Sequence, residues 1–278
     1  MQLTEFGKLP AVCIRAADGA QAIVTLYGGH LVSWRSADGR ERLFCSARSA
    51  LDGSRAIRGG VPLIFPQFGA RGDGLRHGFA RVSNWRLAGG GRDGADGFAE
   101  FSLAAGDVPV ELAAAWPFAF ELTFRVALHG DALALSFSVR NTGTAAFPFS
   151  AALHSYFLVE QLERCELGGL QHVRFADESG AMALQETAAL HFSDKLDRIY
   201  YQLPAPLSLR AGDAALRLEQ EGFTDAVVWN PGAADAAALA DMEDEEYRRF
   251  VCVEAALIEP DVLAAGAEWR GVQRIVAR

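Results

Sequence analysis

The stretch FELTFRVALHGDALALSFSVRN, residues 120–141, decides the fold. On each side of the central Gly130-Asp131 pair every second residue is large and apolar, and the residues between them are polar or small. A period of two is typical of a strand with one buried face, and a Gly-Asp pair between two such runs is a turn signal. The stretch therefore predicts a long antiparallel hairpin.

Shorter runs with strand-like composition cover much of the remaining chain. Many short strands separated by turns are typical of a β-sandwich or barrel, so we expect an all-β protein with a few short helices. The runs are Ala11–Arg15, Gln21–Leu26, Leu31–Arg35, Phe98–Leu103, Ala214–Glu219, Ala226–Trp229, Phe250–Ala255 and Val272–Ala277.

Three further segments affect the predicted organisation. Residues 236–247 are alanine-rich and then acidic, and they predict a surface helix. The glycine-rich residues 89–94 predict a hairpin tip, because they lack the lysine and serine or threonine of a phosphate loop. No repeat, linker or change of composition divides residues 1–278, so we expect a single domain.

Composition excludes several classes of protein. The net charge is 26 − 35 = −9, which argues against a nucleic-acid partner but still allows a few arginines to hold one small phosphate. No apolar run reaches the roughly 20 residues of a membrane span, and the N-terminus does not resemble a signal peptide. The four cysteines form no C-x-x-C pair. We expect a cytoplasmic monomer with free thiols, no metal and no organic cofactor.

Polar residues interrupt apolar surroundings in four segments. Arg58 precedes two glycines, which would let the backbone approach a ligand, although it could also be a surface arginine before a bend. Arg76, His77 and Arg81 lie within six residues and could clamp a phosphate or sugar hydroxyls, or form a charged loop.

The other two segments contain one candidate proton-transfer group each. His154 follows Ala-Ala-Leu and would be either a core histidine or a proton donor that titrates near neutral pH. Glu254 lies in the run FVCVEAA and would be either an edge-strand residue or, if it faces a cleft, a general base. Alternation places Cys252 and Glu254 on one face of this strand and Val251 and Val253 on the other.

These segments together resemble one family, the hexose-6-phosphate mutarotases of the galactose-mutarotase-like superfamily. The resemblance runs from about residue 20 to the C-terminus and depends on the order of six strings. They are RGGVPLIFPQFG (58–69), RHGFAR (76–81), LHSYF (153–157), DRIY (197–200), VVWNPG (227–232) and VCVEAA (251–256).

The resemblance implies a large antiparallel β-supersandwich with a sugar site, and it implies a role for each matched residue. His154 would be the general acid and Glu254 the general base of ring opening, which needs no cofactor. The remaining matched residues would contact a hexose 6-phosphate: Arg58 and Arg81 its phosphate, and His77 and Asp197 its hydroxyls. The neighbouring Arg76, which does not match the family pattern, would add to the binding of the phosphate.

Two positions depart from the family pattern and leave the substrate open. Arg76 replaces a common glutamine and adds charge beside the expected phosphate, and Gln67 replaces a common aromatic residue. The alternatives are a mutarotase of free aldoses such as galactose and a non-catalytic sugar-binding sandwich. A glycosidase is disfavoured because it normally uses two carboxylates, whereas this pair is a histidine and a glutamate.

Overall fold

The computed structural model describes residues 1–278 and consists mainly of β-strands. In chain order the strands are β1 Gln2–Phe6, β2 Leu9–Arg15, β3 Gln21–Thr25, β4 His30–Arg35, β5 Leu63–Ile64, β6 Arg86–Asp93, β7 Asp96–Ala104, β8 Phe120–His129, β9 Ala132–Asn141, β10 Phe147–Leu153, β11 Tyr156–Leu158, β12 Cys165–Gly168, β13 Arg174–Asp177, β14 Met182–Leu184, β15 Ala189–His191, β16 Leu196–Tyr200, β17 Leu207–Ala211, β18 Ala214–Glu221, β19 Asp225–Asn230, β20 Phe250–Leu263 and β21 Glu268–Ala277. The helices are α1 Val110–Ala113 and α2 Gly232–Ala238, and the 3-10 turns are Ala80–Val82, Ala105–Asp107, Leu162–Arg164 and Glu246–Arg249.

Antiparallel pairing joins these strands into three sheets. The four-stranded sheet has the order β1-β2-β3-β4, and the nine-stranded sheet has the order β15-β12-β17-β18-β21-β9-β8-β7-β6. The eight-stranded sheet has the order β14-β13-β16-β19-β20-β10-β5, with β11 also paired to β20. This arrangement confirms the predicted all-β, antiparallel fold with a few short helices.

The predicted hairpin lies in the interior of the nine-stranded sheet, between β21 and β7. Strands β8 and β9 pair without a register shift from Phe120 opposite Asn141 to His129 opposite Ala132. The alternating apolar side chains on both strands are at most 2% exposed. The Phe65 ring beside the eight-stranded sheet lies 5.5 Å from the Phe120 ring. The large apolar face of the hairpin therefore forms one wall of the core between the two sheets.

Strand β20 lies in the middle of the eight-stranded sheet and is covered on both faces. Every residue from Phe250 to Ile258 is buried. Val253 belongs to the main core, whereas Glu254 lines a cavity on the opposite face. The predicted alternation along this run is therefore confirmed.

The predicted helix over residues 236–247 is wrong in its bounds. Helix α2 ends at Ala238, Leu239 is extended, and a 3-10 turn begins only at Glu246. The Glu246 carboxylate accepts hydrogen bonds from the Ser46 hydroxyl and from the Glu243 backbone N–H. Met242 is buried at 1% exposure. These tertiary contacts, together with repulsion among neighbouring acidic residues, outweigh the helix propensity of the alanine run.

The glycine-rich residues 89–94 also differ from their prediction as a hairpin tip. Gly89, Gly90 and Gly91 belong to β6 and pair with β7 as an edge strand of the nine-stranded sheet, and the turn follows at residues 94–95. A Cβ on Gly90 would lie 2.8 Å from the Phe98 carbonyl oxygen. Backbone hydrogen bonds therefore form this strand. Its glycines have no side chains, so the sequence shows no alternation of apolar and polar residues that would predict it.

Candidate functional site

A cavity of about 770 Å³ opens over one face of the eight-stranded sheet. Two cross-strand rows build its floor: Ile199, Val227 and Glu254 oppose one another in register, and Asp197 lies opposite Trp229 in the next row. The structure brings all seven residues singled out in the sequence to this one cavity. They are Arg58, Arg76, His77, Arg81, His154, Asp197 and Glu254.

His154 and Glu254 meet at the bottom of the cavity. Nδ1 of His154 lies 3.2 Å from Oε1 of Glu254, and the two side chains are 10% and 1% exposed. Their alignment is too poor for a hydrogen bond, so Nδ1 of His154 has no partner, and neither does Oε2 of Glu254. Buried polar atoms without partners are costly. These atoms are therefore positioned to bond a ligand.

Burial shifts the pKa values of this pair in opposite directions. It lowers the pKa of His154 well below its usual 6.5, with further lowering from His77, Arg81 and Arg58. It raises the pKa of Glu254 well above 4.5, with a further contribution from Asp197. The expectation that His154 titrates near neutral pH is therefore wrong, because desolvation favours the uncharged form of each group.

Aromatic rings fix the orientation of the His154 imidazole. The Tyr156 ring stacks on it at 4.8 Å between centroids with an interplanar angle of 9°. Trp229 and His77 approach with centroids at 6.0 and 5.7 Å. The His154 backbone N–H donates to the Pro62 carbonyl, where the chain passes from β10 to β11. The imidazole is thus held on several sides, with its Nδ1 toward the carboxylate.

The three arginines at the cavity have different partners. Arg58 donates to the Tyr156 hydroxyl at 3.0 Å and pairs with Asp241 at 3.3 Å. Arg81 donates only to the backbone oxygen of Arg76, its Nε has no partner, and burial lowers its pKa to about 10. Arg76 is exposed, and neither it nor Arg81 has an acidic partner within salt-bridge distance. Arg81 and Arg76 therefore offer unneutralised charge to an anion, whereas Arg58 is held in place.

The two glycines after Arg58 allow close packing of the backbone within the protein. The expectation that they bring the backbone close to a ligand is wrong. Gly59 and Gly60 have φ values of 117° and 60°. A Cβ on Gly59 would lie 2.4 Å from the Cys45 Cα, and one on Gly60 would lie 2.2 Å from the Leu31 oxygen. Neither glycine lines the cavity. Their small size lets the segment that carries Arg58 pack against neighbouring backbone.

His77 occupies a strained backbone position at the cavity. Its φ is 63°, which is uncommon for a residue other than glycine. Its Nδ1 accepts a hydrogen bond from the Gly69 N–H, so the opposite ring nitrogen carries the proton of the neutral imidazole. Burial and the nearby arginines lower the pKa of His77 to about 3. A neutral donor is thus presented beside His154.

Gln67 lies beneath the loop that carries Arg76 and His77. Its amide nitrogen donates to the carbonyls of Gly69 and Gly74, and its Oε1 accepts from the Gly74 N–H. The side chain is 9% exposed and does not line the cavity. This departure from the family pattern therefore shapes the loop and does not contact a ligand directly.

Asp197, Trp229 and Lys195 also line the cavity, and Tyr156 and Asp241 hold other site residues in place. Burial raises the pKa of Asp197, and Glu178 adds to this effect. Tyr156 and Trp229 lie inside the strings LHSYF and VVWNPG, so the motifs contained a signal that was not assigned to them. Asp241, which holds Arg58, follows the alanine run and has no sequence signal. Lys195 lines the wall and bonds Glu178 and Asp235 at 2.6 and 2.9 Å.

The sequence profile of the aldose 1-epimerase family matches residues 10–276. The chain belongs to this family. It is therefore an epimerase of the isomerase class, as predicted, and a non-catalytic sugar-binding sandwich is not favoured. None of its helices combines the length and apolar character that crossing a bilayer requires.

Two similar proteins agree with this membership. A protein of Cenchrus ciliaris is 34% identical over 277 residues, covering 95% of this chain and 83% of the relative. A protein of Escherichia coli strain K12 is 35% identical over 246 residues, covering 85% and 79%. Both are named, provisionally, glucose-6-phosphate 1-epimerases.

Solved structures of similar proteins share the fold. A protein of Salmonella typhimurium, titled provisionally a mutarotase, superimposes with a TM-score of 0.89 at 27% identity, covering 99% of this chain and 92% of the other. A galactose mutarotase related enzyme of Lactobacillus acidophilus superimposes with a TM-score of 0.75 at 17% identity, covering 96% and 97%. The predicted family and β-supersandwich are therefore confirmed.

Proposed function

We propose that this chain interconverts the α and β anomers of a hexose 6-phosphate. One observation carries the proposal: a single cavity holds an unpartnered histidine–glutamate pair together with two arginines that lack acidic partners. The pair supplies proton transfer, and Arg81 and Arg76 supply charge for a phosphate dianion. The names of the two relatives, glucose-6-phosphate 1-epimerases, support the same substrate.

The reaction requires two coordinated proton transfers. Glu254 takes the proton from the C1 hydroxyl while His154 gives a proton to the ring oxygen, and the C1–O5 bond breaks to leave an open-chain aldehyde. Rotation about the C1–C2 bond presents the other carbonyl face. The C5 hydroxyl then attacks C1, returning its proton to His154, and the new C1 oxygen takes the proton from Glu254. The pair ends with the protons with which it began, so no other reactant is consumed.

Burial and the opening step favour different positions of the proton that His154 and Glu254 exchange. Burial favours a neutral His154 and a protonated Glu254, whereas the opening step needs the proton on His154. Substrate hydroxyls that donate to Glu254 would stabilise its carboxylate, and a bound phosphate would stabilise an imidazolium. Binding of the substrate thus prepares the pair for proton transfer. We assign His77 and Asp197 to the sugar hydroxyls.

Three further features remain proposals. We propose that residues 1–278 act as one domain, as a monomer, and in the cytoplasm. No nucleic-acid partner is expected, because a protein of net charge −9 repels the negatively charged phosphate backbone of a nucleic acid. A free aldose remains the alternative substrate.

The direct test is anomer exchange measured by NMR. We expect the protein to accelerate exchange of glucose 6-phosphate, well above the spontaneous rate in the same buffer. Acceleration of free galactose with none for glucose 6-phosphate would replace the proposal with the free-aldose alternative. No acceleration of any of these sugars would contradict the assignment of hexose substrates.

A further inference from the structure

The acid–base pair has a third neighbour that the proposed reaction does not use. Cys252 lies two residues before Glu254 on the same face of β20, opposite Tyr156 on one side and Trp229 on the other. A nitrogen of His154, the Cys252 sulfur and a carboxylate oxygen of Glu254 all lie within 4.8 Å of one another. All three residues are buried. A sulfur, a nitrogen and an oxygen donor therefore converge beneath the cavity.

This convergence is close to the spacing of a tetrahedral metal site. Zinc binds sulfur at about 2.3 Å and nitrogen or oxygen at about 2.0–2.2 Å, so neighbouring ligand atoms in a tetrahedron lie roughly 3.2–3.8 Å apart. The 3.2 Å between Nδ1 of His154 and Oε1 of Glu254 already falls in this range. Only the thiol needs to approach, by about 1 Å at most. Nδ1 of His154 and Oε2 of Glu254 are buried without hydrogen-bond partners, so a metal ion would break no existing bond of theirs.

We propose that His154, Cys252 and Glu254 form a binding site for a thiophilic divalent cation such as Zn²⁺ or Cd²⁺. The metal replaces the thiol proton, which passes to the buffer, and no electron is transferred. The thiolate and the carboxylate match the two positive charges of the ion and so offset the repulsion from Arg81. Because His154 and Glu254 line the cavity, water from the cavity would supply the fourth ligand. Mg²⁺ is excluded because it requires an octahedron of oxygen ligands.

A metal at this site inhibits the protein. It occupies both groups to which the proposed function assigns proton transfer, so metal and sugar exclude each other. This consequence rests on the proposed function, whereas metal binding itself does not. The two can therefore fail separately, and binding is measured apart from activity.

Isothermal titration of the full chain with ZnCl₂ in a thiol-free buffer tests the binding. We expect one Zn²⁺ per chain, no binding of Mg²⁺, and a loss of affinity of at least about 10-fold in Cys252→Ala, since even residues behind metal ligands contribute that much. The matched control Cys45→Ala removes a partly exposed thiol outside the cavity and should bind as the wild type does. Unchanged affinity in Cys252→Ala, or lost binding in Cys45→Ala, would overturn the proposal.

A second measurement needs no variant. Alkylation of the folded wild type with iodoacetamide blocks accessible thiols and spares the fully buried Cys252. Addition of CdCl₂ to this protein should then still give a cadmium–thiolate absorption band that saturates at one equivalent, and absence of the band would overturn the site. Zn²⁺ should also stop anomer exchange, and EDTA should restore it. Exchange that continues with Zn²⁺ bound would support the metal site and contradict the assigned proton-transfer roles.

Discussion

The hairpin β8–β9 and the strand pair β10–β20 are both largely buried, but burial has a different consequence in each. The hairpin buries its large apolar residues on one face and leaves most of the polar or small residues between them on the other. The β10–β20 pair is covered on both faces, and its cavity face carries Glu254, with His154 immediately after β10. Burial in the hairpin stabilises the fold, whereas burial at the cavity keeps polar atoms unpartnered and available to a ligand. Substitutions in the two regions should therefore fail in different ways.

The largest effect is expected in the hairpin. Phe137→Ala removes a fully buried ring and should lower the free energy of unfolding by about 3–5 kcal/mol. Anomer exchange per folded molecule should stay within about twofold of wild type. Urea unfolding combined with exchange measured well below the midpoint checks this. Thr123→Ala, on the outer face, should change stability by no more than about 0.5 kcal/mol. If Phe137→Ala lowered the free energy of unfolding by less than about 1 kcal/mol, the proposed difference between the hairpin and the cavity would be wrong.

The opposite behaviour is expected of the acid–base pair. His154→Asn and Glu254→Gln should each lower turnover by about 10²-fold or more, the range for a positioned acid or base. The midpoint of urea unfolding should equal or exceed that of wild type in Glu254→Gln, because an amide is buried without the proton uptake that the raised pKa of Glu254 implies. Near-normal exchange by both folded variants would rule out the mechanism.

The buried histidines should make the free energy of unfolding decrease at acidic pH. Burial lowers the pKa of His30 to about 4 and that of His77 to about 3. Below about pH 6.5 the unfolded chain binds protons that the folded chain does not, so stability should fall as the pH falls from 7 to 5, by about 2 kcal/mol for each histidine. Glu254 acts in the opposite sense, because its raised pKa makes its contribution decline as the pH rises.

Urea midpoints at pH 7 and pH 5 check this dependence. His30→Gln should show a smaller loss between the two pH values than wild type, by about 2 kcal/mol. Phe137→Ala, which removes no titrating group, should keep the wild-type dependence. Equal dependence in His30→Gln and wild type would mean that His30 is not held uncharged by burial.

The smallest of these effects concerns the arginines. Arg81→Ala should raise KM for glucose 6-phosphate by about 10-fold and lower kcat less, because we assign Arg81 to the phosphate and not to the reacting atoms. Arg76→Gln should have a smaller effect, since Arg76 is exposed. Steady-state kinetics on both variants checks this order. A larger fall in kcat than rise in KM for Arg81→Ala would place Arg81 at the reacting centre.

The same contrast explains what the sequence could predict. The hairpin was predictable because one face of each strand is buried, so that apolar residues alternate with polar or small residues along the sequence. The cavity residues were found because Glu254 and His154 interrupt apolar runs and lie in strings with a family order. These local signals and the family resemblance named seven of the residues that line the cavity, but they did not assign the charge states of these residues.

What the sequence could not provide depends on contacts between distant segments. Asp241 holds Arg58 from 183 residues away, and Glu246 ends the predicted helix through bonds to Ser46. The lowered pKa of His154 results from desolvation by the surrounding fold, which no motif encodes. Gln67 acts within its loop, and only the folded backbone reveals its partners.

The main proposal is that Arg76 and Arg81 select a phosphorylated sugar for the acid–base pair. The most direct measurement is the ratio of kcat/KM for glucose 6-phosphate to that for free glucose, taken at low and at raised salt. We predict a ratio well above one that falls as salt screens the phosphate, with little change in kcat/KM for free glucose. A free sugar processed as well as glucose 6-phosphate, at either salt concentration, would contradict the claim.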